Sequence, residues 1–117
     1  MVNEPVLDMS VVEEAKAMMK NKFPTMIEYF LEDSATYIAA IRDGIVTKNA
    51  EQIVSPAHTL KSSSRQMGAM VMSALAKQVE EQARQIKDTG GDINVFTPLV
   101  VSLDRAFGET KQAFESV

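Results

Sequence analysis

The sequence predicts an all-α protein: an antiparallel up-down four-helix bundle with a short extra N-terminal helix. Three observations predict this fold class. Apolar residues recur at helical spacing in every long segment, no segment shows the alternation of a strand, and the connections are short enough to favour antiparallel neighbours. The chain of 117 residues is 45% hydrophobic and 24% charged, which is typical of one globular domain over residues 1–117.

The first two predicted helices differ in length. The short one is expected to have Ser10 as its N-cap and Glu13 in the capping-box position. Its apolar face contains Val11, Val12, Ala15, Met18 and Met19. The second helix can hold Pro24 in its first turn and Gly44 in its interior. Its apolar stripe consists of Ile27, Leu31, Ser34, Ile38, Ile41 and Ile45, at 4-3-4-3-4 spacing.

The third predicted helix carries the most informative stretch of the chain, Ala57 to Ala69. Asn49 is expected to cap its start, and Gly68 is expected to end it because glycine adopts the left-handed conformation freely. Pro56 lies inside the pattern and should kink or split the helix, with Ser55 able to cap a fresh start. Its apolar stripe consists of Ile53, Ala57, Leu60, Ser64 and Met67.

Two more helices complete the predicted bundle, and the last should hold Pro98 in or near its first turn. The fourth helix ends near the sequence DTGGD, and its stripe consists of Met72, Leu75, Val79, Ala83 and Ile86. The apolar residues of the fifth are Phe96, Leu99, Val100, Leu103, Phe107 and Phe114.

The composition excludes several classes of function. There is no cysteine and only one histidine, so disulfides are excluded and a zinc site is not expected. The net charge is −4 without a basic stripe, which argues against nucleic acid as a partner. No apolar run is long enough for a membrane span, and the first residues lack the layout of a signal peptide, so we expect a cytoplasmic protein.

His58, the single histidine, is predicted to lie on the solvent face of the third helix. It is about 200° from Leu60 of the apolar stripe, whereas Lys61, Ser62 and Arg65 share or border its own face. Such a group of donors suits an anion, and a displayed neutral imidazole is a nucleophile able to take a phosphoryl group. Helical geometry alone leaves open that these side chains are merely solvated.

At this stretch the sequence resembles the histidine-containing phosphotransfer (HPt) domain family. The family pattern is H-x-L-K-G-S-[SA]-x-x-(apolar)-G-A. The chain reads His58, Leu60, Lys61, then three serines, then Met67, Gly68 and Ala69. The segments FLEDSATYIAAIRDGIVTKNAEQI upstream and LAKQVEEQARQ downstream also resemble the family, so that the resemblance covers about residues 8–116.

The resemblance implies a role for each matching residue. His58 would be the phospho-acceptor, Lys61 would neutralise the phosphate, and Gly68 would be structural. Glu80 would hydrogen-bond the imidazole, which fixes the tautomer, although Glu81 competes for this role. The family usually has glycine where this chain has Ser62, which could donate a hydrogen bond to phosphate, and Pro56 is a second departure.

The implied function is that of a phosphoryl carrier in a multistep two-component phosphorelay, and not of an autonomous enzyme. Its partners would be response-regulator receiver domains and a hybrid sensor kinase. Helical phase places Arg65 beside the phosphate, and we expect Gln66 and Met70 on the docking rim, with a core or solvated position as the alternative for both. No cofactor of its own is expected, and Mg²⁺ would be held by the receiver. We expect a monomeric, stand-alone domain, with a segment of a hybrid kinase as the alternative. The competing function is a helical adaptor of the same fold that binds a receiver without carrying phosphate.

Overall fold

The computed structural model describes residues 5–117, and every regular element in this range is helical. Short 3₁₀ turns precede the second and fifth α-helices, at Lys20–Lys22 and Ile93–Val95. The α-helices are α1 (Met9–Met19), α2 (Phe23–Val46), α3 (Ala50–Gln66), α4 (Met70–Thr89) and α5 (Phe96–Phe114). The prediction of an all-α bundle with a short extra N-terminal helix is confirmed.

The four long helices pack in a closed ring. Each contacts the next along the chain, and α5 returns to α2, where Phe30 and Phe114 meet edge to face with ring centroids 6.0 Å apart. An ion pair between Arg42, near the end of α2, and Asp104, near the middle of α5, bridges the same two helices. The largest interface joins α3 to α4, the two helices connected by the turn around Gly68. This hairpin places side chains of α3 and α4 opposite each other.

The predicted apolar stripes form the core. All five stripe residues of α3 are buried, and the stripes of the other long helices are buried or half-buried. Within α2, the buried Gly44 packs so closely on Ile53 that an added Cβ would lie 2.5 Å from the Ile53 side chain. The first turns of α2 and α5 contain Pro24 and Pro98, as predicted.

The start of α1 differs from the prediction. Asp8, and not Ser10, is the N-cap: its carboxylate accepts hydrogen bonds from the N–H and the hydroxyl of Ser10, at 3.0 and 2.7 Å. The reason is tertiary, since the Asp8 N–H donates to the Gly68 carbonyl at 2.7 Å, and this bond holds Asp8 outside the helix. The predicted apolar face was also too wide, because only Val12 is buried and the Met18 residue is 80% exposed.

The prediction that Pro56 kinks or splits its helix was wrong about the split. Helix α3 is continuous from Ala50 to Gln66, so Ser55 lies in its interior and caps nothing. Proline removes only one N–H from the helix, and the stripe residues Ile53 and Ala57 on either side of it are completely buried. Burial of the stripe outweighs the local cost of the proline, because packing contributes more to helix stability in proteins than propensity does.

Both predicted ends of α3 are confirmed. The Asn49 side chain accepts a hydrogen bond from the Gln52 N–H at 3.2 Å. At the other end Gly68 has φ +82°, and the N–H of Ala69 reaches back to the Ser64 carbonyl at 2.8 Å. This is the Schellman arrangement, in which a left-handed residue closes the helix and satisfies its last carbonyls.

Candidate functional site

The candidate site lies on the outer surface of the α3–α4 hairpin. His58 is near the middle of α3, and its side chain is 54% exposed, which confirms the predicted solvent-facing position. Nδ1 of the imidazole lies 3.0 Å from Oε2 of Glu80 on α4. Within residues 5–117, Nε2 makes no hydrogen bond, so this nitrogen is the one available to a molecule outside the chain.

Glu80 is the buried centre of the site. Its side chain is only 7% exposed, and both carboxylate oxygens are occupied. Oε1 lies 2.8 Å from Nζ of Lys61, whereas Oε2 accepts from His58 and also from Arg84, whose Nη2 and Nε lie at 2.7 and 3.0 Å. One carboxylate therefore joins a histidine and a lysine of α3 to an arginine of its own helix.

The surroundings of Glu80 keep it ionised. Burial raises the pKa of this carboxyl group, but hydrogen bonds from Lys61, Arg84 and His58 lower it by more, and the resulting pKa is about 2, compared with an ordinary 4.5. An ionised carboxylate can only accept hydrogen bonds, so the neutral imidazole must carry its proton on Nδ1. The lone pair of the ring is then on Nε2, at the exposed side.

The structure distinguishes Glu80, which the sequence analysis assigned to the imidazole, from its competitor Glu81. Glu80 faces α3 and contacts His58, whereas Glu81 is exposed and has no hydrogen bond or ion pair among the described residues. The separation depends on how α4 is rotated about its axis relative to α3. Helical phase within α4 favours Glu80, which adjoins the stripe residue Val79, but it does not show that this residue reaches His58.

The other predicted site residues form no contact network with His58 among the described residues. Ser62 and Arg65 are exposed on the His58 face, and neither makes a side-chain hydrogen bond or ion pair in the described part of the chain. Gln66 is exposed. Met70 is half-buried and lines a shallow apolar groove with the segment around Leu7.

Arg84 is the residue that the sequence analysis missed. The available signal was its i,i+4 spacing from Glu80, which places an arginine and a glutamate on one helix face. A second unpredicted contact supports Lys61: the buried Ser73 of α4 donates its hydroxyl to the Lys61 carbonyl at 2.9 Å. The Ser73 contact depends on how α3 and α4 pack together, whereas the Arg84–Glu80 pair lies within α4.

The described residues contain neither a candidate membrane span nor a candidate metal site. No helix between residues 5 and 117 is long and apolar enough to cross a bilayer. Over the same range, no three histidine, aspartate or glutamate residues cluster in a way that could hold a metal ion.

Comparison with known proteins points to one family. The family model for the Hpt domain matches residues 25–113, about three quarters of the chain. The crystal structure of histidine-containing phosphotransfer protein B (HptB) from Pseudomonas aeruginosa PAO1 is similar, with a TM-score of 0.85 and 23% sequence identity over 97% of this chain and 95% of that one. No curated protein sequence matches the chain. The structural likeness supports the fold, and the family match, which includes His58, Lys61 and Glu80, shows that the chain belongs to the Hpt domain family.

Proposed function

We propose that the protein is a phosphoryl carrier that accepts a phosphoryl group on Nε2 of His58 and passes it between receiver domains of a multistep phosphorelay. The observation that carries this proposal is the 3.0 Å contact between Nδ1 of the exposed His58 and the buried carboxylate of Glu80. Family membership supports phosphotransfer in general. The geometry supports this residue and this ring nitrogen.

The chemistry follows from the tautomer. The Nε2 lone pair attacks the phosphorus of an aspartyl phosphate on the receiver, the N–P bond forms as the O–P bond breaks, and the aspartate carboxylate leaves with the bonding electrons. The proton stays on Nδ1, where the carboxylate of Glu80 stabilises the positive charge that develops on the ring. The reverse sequence of bond changes delivers the group to a second receiver.

The cations around His58 would stabilise the phosphoryl group. The side chain of Lys61 is partly exposed and begins one helical turn from His58, so its ammonium group can turn from Glu80 toward a phosphate on Nε2. Arg65 and the Ser62 hydroxyl lie on the same face and supply two more donors. Serine in place of the usual glycine therefore adds a donor to the site while remaining small enough for a partner to approach.

The receiver domains would dock around His58, with Gln66 and Met70 on the rim of the contact surface. Transfer between phosphohistidine and aspartate depends on alignment and charge neutralisation, which the two partners provide together. We propose that Mg²⁺ is bound by the receiver, whose phosphorylated aspartate needs it.

The test is transfer of label from a phosphorylated receiver in the presence of Mg²⁺. Label should appear on the protein, and it should be acid-labile and stable to alkali, as expected of phosphohistidine. The His58→Gln variant should take none, whereas a matched change on the same helix, Gln52→Ala, should take label normally because Gln52 lies nearly two turns away. Label that persists in His58→Gln would contradict the proposal. A receiver that binds without any transfer, and equally well to His58→Ala, would instead support the adaptor function.

A further inference from the structure

We propose that Arg84 is a positioning residue for phosphotransfer, which keeps Glu80 in contact with His58 when Lys61 turns toward the phosphoryl group. This inference rests on the proposed function of His58. Arg84 does not reach the imidazole itself: its contacts in the site are the two hydrogen bonds to Oε2 of Glu80, at 2.7 and 3.0 Å.

The two carboxylate oxygens of Glu80 have different partners. Lys61 holds Oε1, whereas His58 and Arg84 share Oε2. When the ammonium group of Lys61 moves toward a phosphate, Oε1 loses its cation. The oxygen that orients His58 keeps its own cation, because Arg84 is bound to that oxygen.

The position of Arg84 on the chain makes its contact with Glu80 local to α4. Arg84 lies one turn after Glu80 on α4, so the pair is an i,i+4 contact within a single helix. Lys61 and His58 both belong to α3, the helix on which the chemistry occurs. A restraint from α4 is therefore independent of any rearrangement on α3.

The guanidinium group of Arg84 contacts Glu80 through two of its nitrogens. Nε and Nη2 both donate to the same oxygen, which fixes the direction of approach, whereas a lysine ammonium group at this position could rotate freely. The carboxylate is buried, so without a nearby cation its charge would be costly. A weakened Glu80 would release the Nδ1 proton, and the lone pair on Nε2 would be present for less of the time.

The tautomer of His58 gives a direct readout. His58 is the only histidine of the chain, so the nitrogen NMR signals of its ring need no assignment. In the wild-type protein near neutral pH we expect the Nδ1–H tautomer to dominate. In Arg84→Gln the population should shift toward Nε2–H, and the rate of transfer from a phosphorylated receiver should fall about tenfold. Arg84→Lys should recover part of the Nδ1–H population and part of the transfer rate, because lysine returns the positive charge without the two hydrogen bonds of the guanidinium group.

Two further variants make the test specific. Lys61→Gln should slow transfer but keep the Nδ1–H tautomer, since Arg84 still holds Oε2. Lys87→Gln removes a cation from the same helix, away from Glu80, and should behave as wild type in both measurements. Helical content by circular dichroism checks that each variant folds, and the half-exposed position of Arg84 favours this.

A wild-type tautomer and transfer rate in Arg84→Gln would overturn the inference, and so would an equal loss in Lys87→Gln. Failure of the proposed function has a different signature, because a wild-type protein that takes no label would contradict phosphotransfer itself. The tautomer comparison between Arg84→Gln and Lys61→Gln would still decide which cation holds Glu80.

Discussion

Nδ1 of His58 and Oε2 of Glu80 lie 3.0 Å apart across the interface between α3 and α4, and the two side chains differ sharply in exposure. The histidine is open to solvent on one side, whereas the glutamate is almost completely buried. A reactive group is therefore oriented by a group that solvent hardly reaches.

Removing the charge of Glu80 should slow phosphotransfer. In Glu80→Gln the side chain keeps its size but no longer requires the proton on Nδ1, and we expect transfer from a phosphorylated receiver to slow about tenfold. The rate of label uptake measures this. Glu81→Gln is the matched control, because the neighbouring glutamate is exposed and should be replaceable without effect. Equal loss in the two variants would contradict the role given to Glu80.

Glu80 should also make stability depend on pH in the acid range. Its pKa is lowered in the folded protein, from 4.5 to about 2, so the stabilisation is fully present above pH 4.5 and is lost as pH falls toward 2. The contribution is about 3 kcal/mol. Urea unfolding of the wild type and of Glu80→Gln between pH 6 and 2 should show a difference in unfolding free energy that shrinks over this window. A difference that stays constant with pH would refute the assignment.

Replacing one buried serine should stabilise the fold. The Ser64 hydroxyl has no hydrogen-bond partner in the described part of the chain, and the residue is completely buried. Ser64→Ala removes this unsatisfied group and improves helix propensity, so we expect a gain of about 1 kcal/mol in unfolding free energy. Ser73→Ala is the matched contrast: its hydroxyl donates to the Lys61 carbonyl, and its loss should destabilise by about 1 kcal/mol. Chemical denaturation distinguishes the two, and a loss of stability in Ser64→Ala would show that its hydroxyl is bonded after all.

Two glycines should respond to alanine in opposite directions. At Gly68 φ is +82°, and an added Cβ would lie 2.9 Å from the Asp8 carbonyl oxygen, so Gly68→Ala should cost at least about 1–2 kcal/mol. Gly108 is exposed inside α5 with nothing near its missing side chain, so Gly108→Ala should add about 0.5–1 kcal/mol. Thermal unfolding of both variants measures the contrast. Shifts of the same sign would contradict this account of the α3–α4 turn.

The sequence predicted the helices well because the helical spacing of apolar residues dominates each of them. Spacing alone identified the stripe of α3, all of which is buried, and Asn49 and Gly68 marked its ends by their own conformational preferences. The exposure of His58 followed from the same helical phase. These are local properties, and they require no knowledge of the neighbouring helix.

The errors have tertiary causes. Ser10 is a good N-cap by type, but a hydrogen bond from Asp8 to the distant Gly68 sets where α1 begins. Pro56 has a strong tendency to interrupt a helix, but the buried stripe on both sides keeps α3 continuous. The burial of Glu80 and its contact with His58 depend on the rotation of α4 against α3, which single-helix periodicity does not fix.

The hydrogen bond between Asp8 and Gly68 also constrains the order in which the protein folds. Helices α3 and α4 are neighbours in sequence, so their hairpin closes a short loop at a low cost in chain entropy. Helix α1 leaves the ribosome before the turn on which it docks has been translated. The N-terminal segment must therefore wait, undocked, until the α3–α4 hairpin has formed. In a refolding experiment with pulsed amide exchange, the α1 amides should become protected after those of α3 and α4.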